Sequence, residues 1–383
     1  MRPLTPFLLI PFVLAACHSA PPAPVAGLTP TAIYNIDSVR IASTAGDDKA
    51  ARKQFLAAMD AYKNKKNIAG SIELFRKSIL LKPTAQAYYE MGGALIDQDS
   101  CEEAISALQI AEKLQYKPMA NVLFRLSAAW LGSEGKQYYN AIKDSAALHY
   151  MEVALQMGYS HPEEFLKNPW FAIAQSAGRD DFKRLYKTVI AAGSNIKDPE
   201  QGLWQEFRNE FVPVSLPLTI NDAWINSHTL EKTINFDYEK FVPEMRTQKF
   251  SRDVDREYYY YAVIKADTAY TALLYAGKHI VFERDNAHMP TFFFLVSFDP
   301  NGRIIDKLAV AGQQNLSDPV KVFTMQPNFE FEVRDFKNIY RSDPDSVGYD
   351  SNAIIRTDPV GVANYRIAAS GKFEKTNAPL AIR

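Results

Sequence analysis

From Asp47 to about Gly193, apolar and small residues recur at spacings of three and four with few β-branched runs, the period of helices that bury one face. Past residue 195 the pattern changes. Pro199, Pro213 and Pro217 interrupt it, and short β-branched and aromatic runs then follow one another with turn residues between them. The runs are Tyr258–Ile264, Thr268–Ala276, Lys278–Glu283, Thr291–Phe298, Arg303–Gly312, Lys321–Gln326, Phe329–Phe336 and Tyr365–Ser370, and each predicts a strand. Asp299-Pro300-Asn301-Gly302 is the clearest hairpin turn, because Asn-Gly supplies the positive φ that a tight reversal needs. Strands this closely spaced form an antiparallel meander and leave no room for crossover helices. The expected fold class is α+β: a helical repeat half over 47–195, a linker over 196–215, and an antiparallel β-rich half over 216–383, built as an open barrel or small sandwich.

The N-terminus has a pattern of its own. Arg2 precedes an apolar stretch from Leu4 to Ala16 that is broken by Pro6 and Pro11. It falls short of the ~20 residues that span hydrocarbon, which predicts a cleaved secretory leader. Leu14-Ala15-Ala16-Cys17 resembles the lipobox of bacterial lipoproteins. That resemblance implies a signal peptide over 1–16 and fatty acylation of Cys17, with chains such as palmitate holding the mature protein on a membrane. The plain alternative is an ordinary signal peptide with Cys17 left as a thiol. In such lipoproteins an aspartate after the cysteine is an inner-membrane retention signal. Here His18 occupies that place, and no acidic cluster follows, so the resemblance implies the outer membrane and its periplasmic face. The Pro- and Ala-rich residues up to 46 read as a tether.

Two helical stretches fit a repeat. Starting at Arg52, the residues Phe55, Ala58, Tyr62, Ser71, Phe75, Ser78 and Pro83 fall on the packing offsets of a helical hairpin. Starting at Ala85, Tyr88, Met91, Gly92, Leu95, Ala104, Leu108 and Ala111 do the same. A degenerate third unit from Ala120 uses Leu123, Leu126, Ser127 and Trp130 and, after an insertion, Ala147, Met151 and Ala154. The spacing resembles the tetratricopeptide repeat, a helix-turn-helix of ~34 residues, and residues 158–190 resemble the segment that caps such arrays. The resemblance implies an α-solenoid with a concave groove that binds protein partners. In this sequence the groove positions are Lys53, Asp60, Lys63, Asn64, Tyr89, Glu90, Phe124 and Arg125. A non-repeat helical bundle, with these residues on solvated faces, is the alternative.

Composition narrows the choice. An apolar fraction of 47% and a charged fraction of 23% over 383 residues belong to a globular chain and exclude general disorder. Lys and Arg number 43 against 44 Asp and Glu, so nothing draws the chain to nucleic acid. If Cys17 is acylated, Cys101 has no disulfide partner. Cys101 sits at a predicted helix start where Glu102 and Glu103 raise its pKa, which makes it packing material and not a nucleophile.

Catalytic chemistry is sparse. His18, His149, His161, His228, His279 and His288 form no close ligand pair, and phosphate-binding and serine-nucleophile motifs are absent from the sequence. The Asp343, Asp345, Gly348, Asp350 and Asn352 loop departs from a calcium loop, with Val347 and Ile354 where ligands belong. No cofactor and no metal are expected. The leading expectation is a lipid-anchored, non-enzymatic scaffold that binds a protein partner through the repeat groove. The alternative is a lipoprotein that captures glycan or peptide with aromatics of the β half, loosely similar to nutrient-binding lipoproteins that partner outer-membrane transporters. Tyr258 to Tyr261 raise the glycan reading, but alternation lets at most two face outwards together, so core packing explains them better. A hydrolase using His279 or Asp350 stands third.

Overall fold

A computed structural model describes residues 28–45, 47–133, 141–159, 161, 164–165, 201–248, 251–279, 290–349 and 352–376. The leader, Cys17, most of the capping segment and the turn that holds His288 lie outside the described residues. The chain is α+β, with helices first and a mixed sheet of ten strands after them.

The helices are α1 (Ile36–Ala45), α2 (Asp48–Met59), α3 (Ile68–Leu81), α4 (Ala85–Asp97), α5 (Cys101–Lys113), α6 (Met119–Gly132) and α7 (Ala141–Gln156). Each of α2 to α7 packs on the next, and α4 also packs on α6, as successive hairpins do when they stack. The starts follow side-chain capping: Asp47, Asn67 and Thr84 accept from the backbone N–H three residues on, satisfying donors that have no partner inside the helix. The residues on the repeat's packing offsets are buried from Phe55 to Ala154, with Trp130 half-buried. Gly92 shows why size matters at these offsets, since a Cβ there would lie 2.6 Å from Leu108 Cγ. Cys101 opens α5 and is buried, as its packing role requires.

The tether is shorter than its composition suggests. Leu28, Ile33 and Val39 are buried against the helices, the Tyr34 hydroxyl donates to Glu103 at 2.6 Å, and the Tyr88 hydroxyl donates to the Ile33 carbonyl. Apolar residues spaced through 28–39 give this stretch a surface to bury, which the preceding Pro/Ala run lacks.

The expected linker is also structured. Helix α8 (Gln201–Asn209) inserts Trp204 and Phe207 into an aromatic cluster with Phe241 and Phe298, with ring centroids 4.8–6.5 Å apart. Its Pro-rich flanks read as a boundary, but the burial of two large rings overrides them. A short helix, α9 (Asp222–Ser227), and two 3₁₀ turns at Phe236–Tyr238 and Pro243–Met245 follow.

The strands are β1 (Val212–Pro213), β2 (Leu218–Ile220), β3 (Arg246–Gln248), β4 (Ser251–Arg252), β5 (Arg256–Ala266), β6 (Thr271–His279), β7 (Thr291–Phe298), β8 (Ile304–Gly312), β9 (Val320–Met325), β10 (Glu330–Tyr340), β11 (Ile354–Ile367) and β12 (Phe373–Thr376). From β5 to β12 each strand neighbours the next, antiparallel, in chain order. Gly302, at φ +81°, closes the expected hairpin between β7 and β8, and the Asp299 carboxylate accepts from the Asn301 and Arg303 amides. The expectation of a purely antiparallel sheet needs correcting. β1 runs parallel to β5, and β2 pairs with β9. Two-residue and three-residue strands are too short to show a period, so the sequence hides them. The described strands form no closed barrel, because the order ends at β1 and β12.

Strands β8 and β9 meet only at Gly312 and Lys321, and β2 lies along β9 beyond that point. The sheet parts there. Gly312 has φ +68°, and a Cβ on it would lie 1.9 Å from the Thr291 carbonyl oxygen, so only glycine fits.

Alternation along β5 assigns the tyrosines. Tyr258 and Tyr260 face the helices, while Tyr259 and Tyr261 face a second core enclosed by β5–β8 on one side and β2, β9 and β10 on the other. A bulge between Tyr260 and Ala262 shifts the register by one, and core packing accounts for the run. The first core is continuous from Phe55 and Phe75 in the helices to Phe292 and Val296 in the sheet. Among the described residues, the two halves share this first core.

Candidate functional site

The helical half holds a buried ionic cluster. Glu90, on α4, is 2% exposed and lies 3.6 Å from both Lys63 Nζ and Arg125 Nη1. Beyond Met59 the helix widens into a π turn over Asp60–Asn64, where the Lys65 N–H bonds the Asp60 carbonyl at 2.9 Å. That turn carries Lys63 towards Glu90. Gly93 leaves room for the guanidinium, since a Cβ there would lie 2.7 Å from Arg125 Nη1. Arg125 also donates to the Tyr89 carbonyl at 2.7 Å and sits 3.6 Å from the Tyr89 ring centroid, and Tyr89 stacks on Tyr116 at 4.0 Å. Burial pushes the Glu90 carboxyl up, but Lys63, Arg125 and Arg252 outweigh it and hold it below the usual carboxylate range. Burial in turn lowers the Lys63 ammonium.

The chain's own Asn235, Asp237 and Arg252 meet this face. Tyr116 and Asn121 both donate to Asp237, at 3.1 and 3.0 Å, and the Asn235 side chain donates to the Lys117 carbonyl at 2.7 Å. The Arg252 N–H donates to Asn64 Oδ1 at 3.2 Å, and Asn64 Nδ2 donates back to the Arg252 carbonyl at 3.4 Å. Arg252 also donates to Glu239 at 2.9 Å. Polar groups on the inner helices are thus paired with the β half.

A cleft of about 740 Å³ opens beside this contact, between the two halves. The helices contribute Arg52, Lys82, Thr84, Gln86 and Lys117, and the β half contributes Lys232, Glu257, Tyr259, Lys278 and His279. Several charges are paired: Arg52 with Glu257, Lys82 with Asp48 at 2.7 Å, and Lys232 with Glu210. Lys117 and Lys278 form no ion pair among the described residues, against one carboxylate of the lining, Glu231, that likewise forms none, and Lys117 also acts electrostatically on Glu206, so the unpaired charge in the cleft is cationic by a narrow margin. Its size is that of a small-molecule or oligomer site.

The eight groove residues do not act as one open surface. Tyr89, Glu90 and Arg125 lie in the ionic cluster with Lys63, and Asn64 binds the Arg252 backbone. Phe124 stacks on Tyr159 at 4.4 Å and meets Phe165 edge-on at 4.8 Å. Asp60 pairs with Lys65 at 2.6 Å, and Lys53 is exposed. The open-groove expectation is corrected on this point: the inner face is engaged by the chain itself. Asp237, Arg252, Tyr116, Lys117 and Lys278 went unread in the sequence. One signal was available, a lone Glu90 inside the apolar run Tyr88 to Leu95, which marks a buried charge that requires partners.

The other candidates carry less. His279 lines the cleft, and His288 and Asp350 lie outside the described residues. Asn352 closes its loop by exchanging hydrogen bonds with the Ser342 backbone at 3.1 and 2.7 Å. Among the described residues no group of three His, Cys, Asp or Glu side chains is arranged to hold a metal. No described helix is long and apolar enough to cross a membrane. The chain matches no protein-family model, and no curated protein is detectably similar to it.

Proposed function

We propose that this protein is a lipid-anchored binding protein of a bacterial outer membrane, and that it captures an anionic ligand in the cleft between its helical and β halves. The cleft itself supports the reading best: both halves build its walls, and Lys117 and Lys278 line it with no ion pair among the described residues. The lipobox-like Leu14 to Cys17 supports the anchor and the periplasmic face. Stacked hairpins with buried repeat offsets support a tetratricopeptide-like array, here serving as a wall that braces the β half. Recognition is by charge and shape, with no chemical step assigned.

The test is affinity for carboxylate polymers, poly-L-glutamate and polygalacturonate, by calorimetry on detergent-extracted protein. The Lys117→Glu/Lys278→Glu variant is expected to lose about tenfold or more in affinity, since two attractions become repulsions. Both lysines lie at the cleft wall, so the variant should keep its melting temperature. Unchanged affinity would remove the cleft as the site.

A further inference from the structure

Two smaller cavities adjoin the cleft. One, of about 350 Å³, shares Leu230, Tyr259 and Lys278 with the cleft and is walled by Trp224, His228 and Phe293. The next, of about 440 Å³, shares Ile225, Asn226 and Thr291 with the first and is lined by Gln313, Asn338, Tyr340, Tyr349 and Asn352. The shared lining residues make the three cavities neighbours in sequence, the cleft first and the Tyr349 cavity last. Their lining changes from lysine to half-exposed aromatics and side-chain amides.

We propose that the three cavities form one trough for an acidic glycan chain, with the uronate or other carboxylate-bearing sugars held at Lys117 and Lys278 and further sugar rings lying past Trp224 towards Tyr349. The proposal rests on the cleft reading and extends it from an anion to a polymer of stated class.

Three observations favour sugar over peptide. Half-exposed aromatic rings stand at the two farther stages, namely Trp224 and the Tyr340–Tyr349 pair at 5.3 Å. Flat apolar faces with polar rims suit pyranose rings, which show C–H groups on one face and hydroxyls at the edge. Trp224 is half-exposed and fixed by its neighbours. Its amide caps on Asn221 Oδ1 at 2.8 Å, His228 stacks on its indole at 3.9 Å, and Tyr261 and Phe293 meet it edge-on. The amides of Asn226, Gln313 and Asn338 add groups that both donate and accept, matching hydroxyls.

Third, the backbone beside the trough is already used. The outer edge of β5 is covered, with the Tyr260 N–H donating to the Lys232 carbonyl at 3.0 Å and the Ile234 N–H to the Tyr258 carbonyl at 2.7 Å. β6 is paired on both sides, to β5 and to β7, as far as Lys278. Among the described residues, β5 and β6 therefore offer an extended peptide no free edge beside the cleft. Recognition falls to side chains, which is how a glycan is read.

The experiment is calorimetry with galacturonate oligomers on the full chain in detergent, comparing the dimer with the octamer. The octamer is expected to bind about tenfold or more tighter than the dimer. Trp224→Ala should erase that gain while leaving dimer affinity within about twofold. Because Trp224 also packs on Phe293, Tyr349→Ala, at the far end and away from the core, provides a second variant with the same expectation, and melting curves check both for folding. Equal affinity for dimer and octamer would overturn the trough while leaving the cleft reading in place. A glutamate octamer binding more tightly than the galacturonate octamer would overturn it in favour of an acidic peptide. No binding of any galacturonate oligomer at millimolar concentration would also overturn it.

Discussion

Replacing Glu90 with alanine should destabilise the protein by about 3–5 kcal/mol, the range seen when one partner of a buried ion pair is removed. Glu90 is 2% exposed and lies 3.6 Å from two cations, so the variant would leave Lys63 and Arg125 facing each other without an anion between them. Urea or thermal melts measure the loss. A milder Glu90→Gln variant keeps the volume and isolates the charge. A loss under about 1 kcal/mol for Glu90→Ala would mean that water reaches the site and screens it.

The same residue has a pH signature. Its carboxyl is held below its usual range in the folded state, so its contribution to stability is present in full above the unfolded value of about 4.3. It is lost as pH falls through the lower folded value, because protonation then removes the anion that the cations need. Stability should therefore fall on acidification below about pH 4, less steeply in Glu90→Gln than in the parent. Glu239 and Glu103, also held low despite partial burial, keep some slope in the variant: Arg252 and Arg246 act on Glu239, and Tyr34 and Arg76 on Glu103.

The second large effect concerns location. Cys17→Ser should move the protein from the membrane fraction to the soluble fraction and abolish incorporation of labelled palmitate in native cells. Each buried methylene of an acyl chain contributes about 0.8 kcal/mol of membrane affinity, and two or three chains together make anchoring stable. No described helix offers a membrane span in their place. If the serine variant stays on the membrane and carries no acyl group, the anchor lies elsewhere and the lipoprotein reading fails.

Much of the architecture was legible because it rests on periodicity. The spacing of three and four from Phe55 to Ala154 produced buried helix faces, and the runs at Thr291–Phe298 and Arg303–Gly312 produced β7 and β8 around the turn at Gly302. What escaped was non-local. β1 pairs with β5 across fifty residues through only two positions, and Val212-Pro213 has no pattern to announce that. Residues 28–45 looked like tether because proline and alanine precede them, yet Leu28, Ile33 and Val39 find a surface that only the folded helices provide. The partners of the inner-face residues stayed hidden for a related reason. Repeat offsets show which residues point inwards, but not that Asp237 and Arg252, more than a hundred residues away, come to meet them. Lys117 and Lys278 each look like ordinary surface lysines, and only the cleft makes them neighbours in one site.

The placement of the ligand between the halves, and not on the outer helices, is the claim on which the account turns. Hydrogen exchange with and without bound galacturonate octamer tests it most directly. Slowed exchange is expected on both walls together, over residues 82–86 and 115–118 of the helices and 230–235 and 257–260 of the β half. Protection confined to the helical half around the exposed Lys53, with the cleft walls unchanged, would contradict it and favour a scaffold that recruits its partner through the helices alone.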